Sequence, residues 1–334
     1  MTAVFKFLEQ HKDEGIGFEP LWQRIVTANE EFFRREKPPE SFIGFLTKRE
    51  MLFLAKMFRY AHKFAMEKEM KKAPIPEDVK IETIDINGVP AEWQIVPGAK
   101  EDQVLIYLHG GGYIMGSPLT HKLLTVALGQ TTNMRVLSVN YRLGPEYSLF
   151  ASLDDSVTVY KELLSTNISP QKIIIAGDSA GAHLTITTLL KLRDEGIPLP
   201  AGAILMAPLT DMTLSDATFF INSETDPILA DVGFFWWGEA AIGGKETELT
   251  NPIVSPLLAD LSGLPPLLFQ ASPCEILYSD SVRFVQKAKA AGVDVTLQTW
   301  DEMPHNFQLF VYRGLPEAKE AIAKIGEFVQ KIIN

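Results

Sequence analysis

From residue 104 onward the chain repeats one pattern, a short unbroken apolar run followed by a longer stretch of helical period. The runs are Val104–Leu108, Val136–Val139, Ile173–Ala176, Ala203–Met206, Leu267–Phe269 and Val293–Trp300. Most lack the polar alternation of a strand with one wet face, so they predict parallel strands buried on both sides. The stretches at 118–130, 150–165, 180–195, 278–291 and 316–333 predict the helices between them. Parallel neighbours need a crossover, and a helix is the usual one. The pattern therefore specifies an α/β fold, a mostly parallel central sheet with helices on both faces.

Two segments depart from this rhythm. Residues 1–72 carry little strand signal; Leu21-Trp22, Ile25-Val26 and Phe32-Phe33 recur at helical spacing, as do Met51-Leu52, Leu54-Ala55 and Phe58, with Pro38-Pro39 between the sets. Two or three amphipathic helices are expected, whose apolar faces must pack on something else. Ala73-Pro-Ile-Pro76 ends that region, and Val79–Ile86 and Val89–Val96 then alternate around Asn87-Gly88, a dipeptide suited to a type I′ hairpin turn. The second departure is the almost sixty residues between Ala207 and Leu267, which hold Phe219-Phe220 and Phe234-Phe235-Trp236-Trp237. A structureless loop of that length is improbable, so an insertion with its own helices is expected. Its aromatic pairs are read first as core, with the lining of an apolar pocket as the alternative.

Composition excludes several partners. The 334 residues include 31 basic and 42 acidic side chains, a net charge of −11 with no long basic run, which argues against nucleic acid. Cys274 is the sole cysteine, so no intrachain disulfide can form, and it reads as a small buried filler. The first residues reach acids and lysine before any signal-like apolar core, and no run approaches a membrane span. A cytoplasmic protein is expected. There is no internal repeat and no low-complexity segment.

Gly177-Asp-Ser-Ala-Gly181 fits G-x-S-x-G between a buried strand and a helical stretch. A tight strand-to-helix turn has no room for bulky neighbours two residues from its serine, and it exposes the hydroxyl of Ser179 above the sheet. His109-Gly-Gly-Gly112 ends the strand Val104–Leu108. Its glycines let backbone N–H groups turn inward, which suits an oxyanion hole built from Gly111 and Gly112, with Ala180 after the nucleophile as third donor. A nucleotide loop is the competing reading. It fails because the spacing is G-x-G-x-x-x-G, and the next strand ends at Asn140 without an acid for a ribose.

Six histidines compete for the role of general base. His11 and His62 lie in the amino-terminal helices, His121 opens a helix, and His183 sits one turn below Ser179 on the same helix, where packing is expected. His109 begins the glycine loop and is read as a structural hydrogen-bonding group. His305 follows the last strand on a loop returning to the carboxyl edge of the sheet, and is taken as the base. The order serine, acid, histidine then requires a carboxylate after the preceding strand. Glu275 lies just past that strand, and Asp280 stands five residues on, at the start of a helix where it would complement the macrodipole. Glu275 is favoured for its loop position, with Asp280 left open.

These positions resemble the hormone-sensitive lipase-like branch of the α/β-hydrolases, the bacterial family IV esterases. Tyr141-Arg-Leu-Gly-Pro-Glu146, Ala151–Asp155, Ser255-Pro-Leu257 and Leu264-Pro-Pro266 extend the resemblance, which runs from about residue 79 to the end. It implies an α/β-hydrolase domain over 73–334, covered by a helical cap made from 1–72 and an insertion at about 210–250. It also implies that Glu146 and Arg142 brace the loop beneath the glycine motif, and that Asp178 does likewise or only shapes the elbow. The chain departs from the usual family pattern at Gly144, at Tyr147-Ser148 and at Glu275, where aspartate is common.

The expected activity is hydrolysis of short- to medium-chain carboxylic esters by Ser179, His305 and Glu275 through an acyl-enzyme. The expected partner is a small ester; no metal or organic cofactor is implied, and a homodimer through the last strand edge is left open. Lactone, amide and carbamate hydrolysis share the same chemistry. A non-catalytic small-molecule receptor is the reading from another class, disfavoured because all three triad residue types are present.

Overall fold

The computed structural model describes residues 2–11, 15–34, 46–229, 238, 240–242 and 249–333. Three helices come first: α1 (Thr2–Gln10), α2 (Phe18–Arg34) and α3 (Lys48–Lys72). Thr47 caps α3 through a reciprocal pair with Glu50, each side chain accepting from the other's backbone N–H. The hairpin β1 (Lys80–Ile86) and β2 (Val89–Ile95) turns at Asn87 and Gly88, both at positive φ, as a type I′ turn needs.

Alternation then proceeds as β3 (Lys100–Leu108), α4 (Pro118–Thr132), β4 (Met134–Val139), α5 (Leu149–Ser165), β5 (Ile173–Asp178), α6 (Ala180–Asp194) and β6 (Gly202–Met206). After the insertion come β7 (Leu267–Ala271), α8 (Tyr278–Ala290), β8 (Val295–Thr299) and α9 (Pro316–Ile332). The sheet has eight strands in the order β1-β2-β4-β3-β5-β6-β7-β8, with β2 antiparallel to both neighbours and the rest of the ladder parallel.

The unbroken apolar runs follow from this two-sided burial. Val104, Ile106, Leu108, Ile173 and Ile175 face a core shared with α5, α6 and α8. Leu105, Tyr107, Ile174 and Ala176 face the opposite core, against Leu124 and Leu128 of α4 and Ile322, Ile325 and Val329 of α9. Each buried Val, Leu or Ile among them contributes about 1.5–3 kcal/mol relative to exposure. Phe7, Leu21, Ile25, Phe53, Leu54 and Met57 join the first core, so the apolar faces of α1–α3 are covered by the body.

Within the insertion, α7 (Ala217–Ile221) is followed by a 3-10 turn at Asn222–Glu224. Phe219 and Phe220 are buried against each other edge to face, members of the core. Phe234-Phe235-Trp236-Trp237 and Pro38-Pro39 lie outside the described residues. No described helix is long and apolar enough to cross a membrane.

Candidate active site

The elbow is built by close approach. β5 ends at Asp178, and Ser179 turns the chain into α6 at φ 51° and ψ −118°, a conformation unfavourable for a residue with a Cβ. A Cβ on Gly177 would collide with the backbone of Gly181, and one on Gly181 with the carbonyl oxygen of Leu108. That is why this turn takes glycine on both sides of its serine. The Ser179 N–H donates to Met206 O at 2.8 Å, pinning the strained residue to the neighbouring strand end.

The glycine loop leaves β3 beside it. His109 is fully buried, stacked on Tyr141 with ring centroids 4.2 Å apart, and its Nδ1–H donates to Gly110 O at 2.9 Å. Burial, with His121 nearby, pushes its pKa down to about 3, so the ring is neutral and structural. Gly110 N–H donates to Asp178 Oδ1 at 2.9 Å, while Gly111 and Gly112 follow at φ 118° and 60°. Tyr113 OH donates to His183 Nδ1 at 2.6 Å, and His183 Nε2–H donates to Val254 O at 3.1 Å. His183 thus has a packing role, as its helical position implies.

His305 Nδ1–H donates to Glu275 Oε2 at 2.6 Å, and Glu275 Oε1 accepts from Ser272 N–H at 2.6 Å. Burial alone would lower the imidazole pKa, but the hydrogen bond and charge of Glu275 override it and hold His305 above its ordinary value. Burial raises the Glu275 carboxyl, opposed by His305. Asp280 goes elsewhere: its Oδ2 accepts from the N–H groups of Thr210 and Asp211. It stands in the first turn of α8, yet it is buried rather than a solvated helix-end charge, and burial pushes its pKa up to about 7. Of the two carboxylates, Glu275 is the one that touches an imidazole.

Ser179 opens onto two cavities. One, of about 170 Å³, is lined by Gly111, Gly112, Ser179, His305 and Asn306, with His62 and His121 behind them. The other, of about 20 Å³, lies toward Ala180 and is lined by Leu209, Met212, Leu229, Ala241 and Leu277. The second is the narrower and the more apolar of the two.

Two expectations need correction. Arg142 does not brace the glycine loop; it pairs with Asp155 at 2.7 Å and so holds the start of α5. Cys274 is half-buried rather than a core filler, because the acid loop brings it to the surface. Glu146 is joined to the segment just past the glycine motif through a cation that sequence reasoning missed. Arg59 of α3 binds both Glu146 oxygens at 2.8 Å, and also donates to Ile114 O and Gly144 O at 2.6 Å. Asp178 receives Tyr107 OH at 2.6 Å and Asn306 Nδ2–H at 2.7 Å, with His121 Nε2 3.4 Å away. His62, His121, Arg59 and Asn306 had no motif to mark them, since only the folded loops bring them here.

The alpha/beta hydrolase fold family model matches residues 105–309. An esterase of Acinetobacter venetianus is 38% identical over 76% of this chain and 83% of its own length. An acetyl-hydrolase of Streptomyces hygroscopicus is 36% identical over 75% of this chain and 82% of its own. A crystal structure of an esterase from the bacterial hormone-sensitive lipase family superposes with a TM-score of 0.79 at 37% identity, covering 96% of this chain and 100% of that one.

Proposed function

The chain belongs to the α/β-hydrolase family, among the bacterial hormone-sensitive lipase-like esterases, and from that premise we propose that it hydrolyses short- to medium-chain esters through an acyl-enzyme on Ser179. It is a carboxylic-ester hydrolase. The observation that carries the residue assignment is His305, which shares a cavity with Ser179 while Glu275 holds its Nδ1.

With Nδ1 keeping its proton in the hydrogen bond to Glu275, Nε2 is free to accept the Ser179 proton as the hydroxyl attacks the acyl carbon. Negative charge develops on the former carbonyl oxygen. The N–H groups of Gly111, Gly112 and Ala180 stabilise it, the last at the open amino terminus of α6. His305 then hands its proton to the departing alcohol oxygen. Water, activated by the same imidazole, attacks the acyl-enzyme, and Ser179 leaves with its proton restored.

Proton delivery assigns the subsites. The leaving oxygen must reach His305, so the alcohol occupies the larger cavity that His305 lines, and the acyl chain takes the small apolar one. A narrow apolar acyl site favours short chains over long ones. His62 of α3 and Leu209, Met212, Ile228 and Leu229 of the insertion line the two cavities, which supports a cap built from those two segments. The test is turnover of p-nitrophenyl acetate, butyrate, octanoate and palmitate, beside Ser179→Ala and a mass measurement after a phosphonate inhibitor. Activity falling from butyrate to palmitate, with one phosphonyl adduct that Ser179→Ala abolishes, supports the reading. A palmitate preference would refute the acyl-size part, and an adduct that persists in Ser179→Ala the nucleophile. No turnover of any ester would favour the receptor.

A further inference from the structure

We propose that Asn306 is a positioning residue, which sets the place of the general base by tethering the His305 loop to the nucleophile elbow through Asp178. The inference rests on the roles assigned above to Ser179 and His305. Glu275 controls the rotation of the imidazole from one side, but a ring can be correctly rotated and still stand too far from the serine. Something must fix the distance between two loops that belong to different strands. Asn306 Nδ2 lies 2.7 Å from Asp178 Oδ2, and these two residues immediately follow the base and precede the nucleophile, 128 positions apart.

Asp178 is suited to be the fixed point. It is 1% exposed, and its other oxygen holds Gly110 N–H and Tyr107 OH. Burial would raise its pKa, but His121 and the hydrogen bonds outweigh burial and lower it to about 2. One ionised carboxylate therefore joins the glycine loop, the elbow and the base loop. A carboxylate only accepts, so the amide of Asn306 must turn its NH2 toward Asp178. The carbonyl Oδ1 is then left buried with no protein partner among the described residues. The backbone agrees: Asn306 sits at φ 56° and ψ 40°, the left-handed region that asparagine tolerates better than most residues.

Two substitutions separate the tether from the backbone. Asn306→Gly keeps the left-handed conformation at no steric cost and removes the amide. Its kcat on p-nitrophenyl acetate should fall about tenfold, with KM within about twofold, since displacement of ~1 Å can cost up to ~10² in rate. Asn306→Asp keeps size and conformation but sets a second carboxylate against Asp178. Two carboxylates that close share a proton, and the protonated one regains a donor. The other titratable groups facing Asp178 are His121 of α4, His62 of α3, His109, His305, Tyr107 and Tyr141, all present in both proteins. The ratio of Asn306→Asp to wild-type kcat, measured from pH 8 down to pH 5.5, should therefore rise by about fivefold or more.

A purely structural side chain would not produce that rise. A flat or falling ratio overturns the proposal, as does an Asn306→Gly protein, folded by circular dichroism, with wild-type kcat. Should the glycine variant not fold, the aspartate protein decides alone, because the trend of its ratio to wild type across pH, and not its absolute activity, carries the test. If the wild-type protein turned over no ester, the esterase reading would fail first and the proposal with it. Wild-type turnover with a flat ratio sinks the tether alone.

Discussion

Glu275 and His305 meet at 2.6 Å through Oε2 and Nδ1, and solvent barely reaches either side chain. Their loops follow adjacent parallel strands, β7 and β8, so both emerge at the same end of the sheet. A charge-assisted bond in such surroundings is much stronger than in water and strongly directional.

Glu275→Gln preserves size and removes the charge, so kcat should fall by about 10³–10⁴, the scale expected when a triad acid becomes an amide. Asp280→Asn should keep kcat within about twofold, because Asp280 contacts the Thr210–Asp211 backbone and not the imidazole. Steady-state kinetics on folded proteins decides between them. The opposite pattern would make Asp280 the acid.

The raised pKa of His305 has a kinetic consequence. In the proposed mechanism His305 must be neutral to act as base, and an imidazole raised above its ordinary 6.5 is neutral only at higher pH. The acidic limb of kcat/KM should therefore be centred above 6.5, with activity lost as pH falls through it. A limb centred at or below 6 would contradict the tight Glu275 contact.

Asp280 should make stability depend on pH in a recognisable direction. Its carboxyl is raised from 3.8 to about 7, so the folded protein binds a proton that the unfolded chain releases between those values. Stability from this group is thus fully present below about 3.8 and lost as pH rises through about 7. Both backbone donors use the same oxygen, Oδ2, and an amide oxygen can accept both. Urea melts at pH 5 and pH 8 should show a smaller loss for Asp280→Asn than for wild type. Equal losses would mean the carboxylate is ionised throughout.

Arg59 links α3 to the residues around the glycine loop through Ile114 O, Gly144 O and Glu146. Arg59→Met retains the aliphatic stem and removes all of these donors. The loop should then loosen, lowering kcat by roughly fivefold to fiftyfold while the fold persists, since the apolar contacts of α3 remain. Thermal melts and kcat together test this, and unchanged kcat with a lowered Tm would reduce Arg59 to a stability role.

Local backbone rules determined much of what could be read before the fold was known. Two-sided burial makes a strand uniformly apolar, so the strands showed in the composition of short windows such as Val104–Leu108. Steric exclusion demands glycine at 177 and 181, and that spacing marked the elbow directly. Both signals are encoded within a few neighbours. Tertiary structure decided the rest. Glu275 and Asp280 are five positions apart on one short stretch, and only the way β7 hands over to α8 sends one to His305 and the other to Thr210. Arg59 reaches Glu146 across 87 residues, and Asn306 reaches Asp178 across 128. Contacts of that range have no period and no fixed spacing. They exist because a parallel sheet gathers the ends of distant strands at one edge, where loops otherwise unrelated in the chain must satisfy one another's buried polar groups.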